Sequence, residues 1–123
     1  MPRRLTAHLR HARTAPRLAR ERLADFDHGL PARRLSDAEL LVTELVSNAV
    51  KYGGAGDIRV TFERDHGRFR TEVVDQGRGF LATRRNRRHV RASGGWGLPL
   101  VQKLSDRWGA HADSTHVWFE FAL

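Results

Sequence analysis

Apolar positions fall along this 123-residue chain at two periods, one of strands and one of helices. Near the start, Leu5, Ala7 and Leu9 alternate with polar neighbours in "RLTAHLR", the pattern of a short strand lying on a core. The next stretch, "TAPRLARERLADFDHGL", carries Ala19, Leu23 and Phe26 as an apolar stripe and predicts a helix. Thr14 stands at its N-cap, Pro16 lies in the first turn where a missing N–H removes no bond, and Gly29 is positioned to end it.

A second helix is expected to open at Ser36, which forms a capping box with Glu39, and to run through Leu40, Leu41, Leu45, Ala49 and Val50 to a stop at "GGAG". Strand alternation then returns in "DIRVTFER", with Ile58, Val60 and Phe62 inward, and in "RFRTEVVD", with Phe69, Thr71 and Val73. The "DHG" between them marks a hairpin. Residues 80–95, "FLATRRNRRHVRASGG", have many charges and no periodicity, so they read as a long loop, usually a functional feature in a compact domain. A third helix follows from about Leu98, with Pro99 in its first turn and Leu100, Val101 and Leu104 on one face. "RWGAHAD" and "HVWFEFAL" close the chain as a strand pair, with Val117, Phe119 and Phe121 on the core side. Helices and strands come in groups, which favours an α+β layer of helices over a mostly antiparallel sheet. The length suits one domain over residues 1–123.

Composition narrows the function classes. No apolar run approaches the roughly 20 residues of a bilayer span, and "MPRRLTAHLRHAR" has no apolar h-region, so a soluble cytoplasmic protein with no membrane partner is expected. The absence of cysteine excludes disulfides, a thiolate zinc site and a cysteine nucleophile. A net charge of +8 invites a nucleic-acid partner, but the basic residues are scattered and dense only in "RRNRRHVR", residues 84–91. The charge is therefore read first as suiting an acidic protein partner or phosphates, with nucleic acid as the lesser alternative. His8, His11, His28, His66, His89 and His111 show no metal spacing and are read as surface or structural residues.

Three clusters carry candidate chemistry. In "ELVSNAVKY", residues 44–52, Glu44 and Asn48 lie four apart on one helical face. Half-buried polar groups need partners, or each costs about 1–3 kcal/mol. A carboxamide oxygen suits magnesium, which takes few protein ligands, and a carboxylate one turn away can polarise a water or hydroxyl for attack on phosphorus. Lys51 adds an ammonium for phosphate and Tyr52 a ring for packing, although a solvated face with an accidental pair explains this cluster equally well. In "VVDQGRGF", residues 73–80, a strand runs into Asp75, an acceptor suited to an amino donor such as adenine's. Gly77 and Gly79 allow a sharp turn and a close approach, as an ordinary Asp and Gly turn also would. In "GGWGLPLV", residues 94–101, glycine-rich backbone leads into a helix start, either an anion site or a hinge; no Walker lysine follows.

In this order the three clusters resemble the GHKL superfamily of ATPases and kinases: "ELVSNAVKY" is similar to its N box, "DQGRG" to its first glycine box and "GGWGLPLV" to its second. The likeness spans nearly the whole chain. The short form, with "DRWG" and "VWFEF" near the end, is most similar to bacterial anti-sigma-factor serine kinases. The resemblance implies the Bergerat ATP-binding fold, a two-layer sandwich with helices on one face of a mixed, mostly antiparallel sheet. It implies ATP and magnesium as cofactors, with Asn48 on the metal, Glu44 as base, Lys51 reaching phosphate and Asp75 on the adenine amino group. Gly77 and Gly79 would shape the pocket, Gly95, Gly97 and Leu98 would meet the phosphates, and Leu81 to Ser93 would form a lid. It implies a homodimer that grips a sigma factor or phosphorylates a serine or threonine of an anti-anti-sigma protein. A catalytically silent nucleotide-binding module and a basic nucleic-acid-binding domain stand as alternatives.

Two departures and one exclusion accompany the likeness. The family usually places Thr just before the last strand, near adenine, whereas here His116 precedes "VWF" and Thr115 is one residue earlier. The lid carries five Arg within residues 84–91, so some are free to serve a protein partner. Only about 35 residues precede the N-box helix, so the phosphoacceptor hairpin of a sensor histidine kinase is not expected. Trp96 would shield nucleotide or pack on the lid, and Trp108 and Trp118 are expected in the core or a dimer contact.

Overall fold

The computed structural model describes residues 3–53, 56–75, 97–110 and 116–123. In chain order its elements are β1 (Arg3–Leu9), α1 (Ala15–Asp25), α2 (Ala32–Tyr52), β2 (Ile58–Asp65), β3 (Arg68–Val74), α3 (Gly97–Leu104), β4 (Arg107–Ala110) and β5 (His116–Ala122). The strands form one sheet in the order β1-β2-β3-β5-β4, and each described pairing is antiparallel. This agrees with the expected mostly antiparallel sheet under a helical layer. The two helices α1 and α2 between β1 and β2 return the chain twice, which leaves β2 antiparallel to β1. The link through α3 does leave β4 running parallel to β3, but β5 is inserted between them and pairs with both.

Strand parity decides the core. Ile58, Val60, Phe62, Phe69, Val73, Val117, Phe119 and Phe121 all face the helices and are buried, as their alternation predicted. A row of rings crosses the sheet, with centroids 6.2 Å apart for Phe62 and Phe69, 6.3 Å for Phe69 and Phe121 and 5.4 Å for Phe119 and Phe121. Against it pack Ala15, Ala19 and Leu23 of α1, the 38-41-42-45-46-49 stripe of α2, and Val101 of α3. Between β2 and β3 the chain turns on His66 and Gly67, with φ of 44° and 77°. Positive φ at both central positions is the hairpin turn that matches strand twist. Among the described residues no helix is long and apolar enough to cross a membrane.

Two helix boundaries differ from expectation. The α1 helix stops at Asp25, before Gly29, because Phe26 turns extended (φ −83°, ψ 142°) and its ring enters the core beside Phe62. Gly29 instead takes a positive φ of 70° within the connection. The α2 helix starts at Ala32, with Pro31 at its N-cap and the Leu35 N–H donating to the Pro31 carbonyl at 2.9 Å. Ser36 therefore lies inside the helix, and no capping box forms.

The earlier start is held from outside. The Arg34 guanidinium donates to the Leu104 carbonyl at 3.0 Å, pairs with Asp106 at 2.9 Å and lies 4.0 Å from the centre of the Phe121 ring. One side chain thus fastens the first turn of α2 to the last turn of α3 and to β5. The Arg34→Ala variant is expected to lose about 2–3 kcal/mol of stability, measured by urea unfolding, from a charged hydrogen bond and a cation–π contact.

Between α1 and α2, His28 accepts the Leu30 N–H on Nδ1 at 2.9 Å. Burial first, and then the nearby Arg64 cation, lower the His28 pKa below its ordinary 6.5, against a smaller opposing effect of Glu39. A folded-state value below the unfolded one means that the unfolded chain binds the extra proton first. This contribution is therefore complete above pH 6.5 and is lost as pH falls from there through the folded value. Urea unfolding followed down through that range should show a shallower loss of stability in His28→Asn than in the wild type.

Candidate functional site

The long α2 helix has three working faces. Its apolar stripe lies on the sheet. One flank meets α1, where Arg20 donates to the Thr43 hydroxyl at 2.9 Å, and the other meets α3 through Arg34. At 3.6 residues per turn, Asn48 and Glu44 sit about 40° and 80° around the axis from Arg34, whereas Thr43 sits about 180° away. The candidate pair therefore occupies the α3 flank, beside the element whose start carries the second glycine motif.

Glu44 and Asn48 are both half-buried, and Lys51, near the helix end, is exposed. Among the described residues none of the three side chains has a hydrogen-bond or ion-pair partner. Other polar side chains of α2 with similar exposure are engaged: Thr43 donates to the Glu39 carbonyl, and Arg34 pairs with Asp37. Glu44 and Asn48 thus leave polar capacity on the middle of the α3 flank.

Asp75 reaches the same end of the molecule from the sheet. It follows β3 directly and keeps the inward parity of Phe69, Thr71 and Val73, so its carboxylate points to the helical layer. There it lies against Gly53, the residue that caps α2: an added Cβ at Gly53 would stand 2.4 Å from Asp75 Oδ2. Asn48 and Asp75 are thus brought to one end of the fold by two different elements. In the sequence Gly53 reads only as part of a helix stop, with no local signal of this contact.

The remaining expected site residues divide in two. Gly97 and Leu98 begin α3. Gly77, Gly79 and Gly95, with the expected lid Leu81 to Ser93, Trp96, Thr115, His89 and His111, lie outside the described residues. His116 has the parity opposite to Asp75. Its Nε2 contacts the Glu72 carboxylate on the sheet face away from the helices, so it does not stand in for the adenine-side threonine. On that same face the Arg70 guanidinium lies 4.4 Å from the centre of the Trp118 ring. Neither Trp118, half-buried there, nor Trp108, 37 % exposed, belongs to the core. The grooves lined by Arg3, Arg64 and Leu123 and by Glu63, Arg70 and Glu120 adjoin the β2–β3 hairpin, at the other end of the sheet.

Sequence comparison decides the family. The pattern of the histidine kinase-like ATPase domain matches residues 5–121. The chain belongs to this family. Among solved structures, the chain is similar in shape to that of the RsbU and RsbW domains of Rv1364c from Mycobacterium tuberculosis. That structure superposes with a TM-score of 0.71 at 24% identity, over 98% of this chain and 32% of the other. This chain thus spans about a third of that one, and the likeness speaks for the fold. No curated protein matches the chain.

As a GHKL member the chain is an ATP-binding domain, and the cluster can be tested against that ligand. Among the described residues no three His, Cys, Asp or Glu side chains gather in a metal-binding group. A metal at Asn48 would take a carboxamide oxygen from α2, beside oxygens of phosphate and water. That donor set fits magnesium, which keeps several waters and takes one or two protein ligands beside substrate phosphates.

Proposed function

We propose that the protein is a magnesium- and ATP-dependent regulator of transcription, an anti-sigma factor that phosphorylates a serine or threonine of an anti-anti-sigma antagonist. The observation that carries this reading is the half-buried Glu44 and Asn48 pair, without a partner among the described residues, on the flank of α2 that faces α3. In this reading Asn48 ligates magnesium and Lys51 reaches phosphate. Asp75 accepts the adenine amino group, Gly77 and Gly79 shape the base pocket, and Gly95, Gly97 and Leu98 meet the phosphates. The family membership supports the nucleotide. The anti-sigma assignment rests on the likeness of the three sequence boxes to those kinases.

When bound, ATP supplies the γ-phosphoryl group and magnesium offsets its charge. Glu44 is the base: it takes the proton of the attacking hydroxyl as that oxygen bonds to phosphorus and the bond to the bridging oxygen of ADP breaks. The protein acts in the cytoplasm as a homodimer, so that one assembly presents two such sites to a sigma factor and its antagonist.

The test is calorimetric titration of ATP with and without magnesium, followed by transfer of labelled γ-phosphate to partner proteins captured from the host. Magnesium-dependent binding and label on a captured protein's serine or threonine are expected. Folded protein that takes up no ATP in excess magnesium would refute the reading, and binding without transfer to any partner would reduce it to a silent module.

A further inference from the structure

We infer that Gly53 is a positioning residue for the nucleotide base: it leaves the space in which the Asp75 carboxylate is seated, and so sets both the place and the selectivity of the base acceptor. The inference rests on the reading that Asp75 accepts the adenine amino group.

The backbone itself does not call for glycine at this point. Gly53 has φ −85° and ψ 3°, open to any residue, and its N–H closes α2 by donating to the Ala49 carbonyl at 2.9 Å. What excludes a side chain is occupancy. A Cβ at Gly53 would stand 2.4 Å from Asp75 Oδ2, 2.5 Å from Asp75 Cγ and 2.6 Å from the Ala49 carbonyl oxygen. To restore ordinary contact the carboxylate would have to move by about 1 Å, a displacement that matters when the group must meet one donor atom of a ligand.

The seat has two consequences. Asp75 comes from the sheet and Asn48 from α2, and contact at Gly53 locks the first to the second. Gly53 lies five residues beyond Asn48, about 7.5 Å along the helix axis, so the base acceptor and the metal ligand share one rigid reference. The C-terminal end of α2 also carries the negative end of the helix dipole. A carboxylate seated there favours a base that presents an amino donor and disfavours one that presents a carbonyl at the same position.

Adenine and hypoxanthine nucleotides separate these effects, because ITP replaces the amino group of ATP with a carbonyl. Affinities for ATP and ITP would be measured by calorimetry, in excess magnesium, for wild type, Gly53→Ala, Asp75→Asn and the double variant. Wild type should prefer ATP. Gly53→Ala should lose roughly 10- to 100-fold in ATP affinity, the size of one charged hydrogen bond, with ITP affinity little changed. In the Asp75→Asn background the same substitution should have almost no further effect on ATP, since it acts through the carboxylate. Equal losses for ATP and ITP, or a full loss that persists in the Asp75→Asn background, would overturn the inference and leave the nucleotide reading intact. A wild type that does not prefer ATP, or an Asp75→Asn variant that binds ATP normally, would overturn both. Should Gly53→Ala be too unstable to titrate, the cycle is read on melting temperature with Asp75→Ala. The drop must shrink when the carboxylate is gone, and a full drop would assign the clash to the Ala49 carbonyl and refute the inference.

Discussion

Glu44→Gln is expected to lower phosphoryl transfer by roughly 10²- to 10⁴-fold, the usual contribution of a positioned base, with ATP affinity close to that of the wild type. Glutamine keeps the length and one oxygen acceptor of glutamate but cannot take a proton at pH 7. Glu44 is half-buried on the α3 flank and engages no other described residue, so removing its charge breaks no bond within the described fold. Stability should therefore change little, and the defect should be confined to the chemical step. Single-turnover transfer of labelled phosphate, beside an ATP titration of the same variant, separates the two. A fall in rate without a fall in affinity marks an interaction made in the transition state. Equal transfer by variant and wild type would remove Glu44 from the chemistry and leave the silent module as the better reading.

The fold was legible wherever one face of an element had to be dry. The residues that alternation places inward in β2, β3 and β5 are buried, down to Thr71, whose hydroxyl has no hydrogen bond among the described residues, although Thr61 and Glu120 of the opposite parity are buried too. Helix ends were harder, because they answer to distant partners. Ser36 and Glu39 fit a capping box in sequence, yet α2 gains a further turn because Pro31 starts it and Arg34 can reach Leu104, 70 residues on. Nothing local to residues 31–36 reports that clasp. The same holds for the end of α1, which is set by where the Phe26 ring can enter the core rather than by Gly29.

The site was legible as chemistry rather than as geometry. Residue types and spacing along one helix put Glu44 and Asn48 on a shared face, and the helix does so. That Asp75 would be seated against the end of the same helix needed the crossing of β3 under α2, which no periodicity reveals. From sequence Gly53 reads only as part of a helix stop, and its close neighbour shows only in the structure. The outer sheet face was equally hidden. Parity assigns Glu72, Arg70, Glu120 and His116 to it, but only the register β2-β3-β5 brings Glu72 to His116 and surrounds the buried Glu120 with Arg68, Arg70 and Arg107.

Asn48→Ala should abolish the magnesium dependence of ATP binding and weaken binding in excess magnesium by on the order of 100-fold, at or above the usual cost of disturbing a metal ligand's support. Ligand count sets the size of this effect. Magnesium takes one or two protein ligands beside substrate phosphates and water, and the described residues offer it no three-residue acidic or histidine group, so deleting Asn48 removes much of what ties metal to the described fold. Asn48→Asp is the informative companion. It restores an oxygen at the same distance and adds a charge, so it should recover metal dependence while repelling phosphate, and its affinity should fall between those of wild type and alanine. The Asp75→Asn variant should behave in the opposite way, losing affinity for ATP while keeping its magnesium dependence, because that residue meets the base and not the phosphates. If Asn48→Ala and Asp75→Asn instead lose magnesium dependence together, the division of labour between α2 and β3 is wrong, and the metal lies nearer the sheet than the α3 flank.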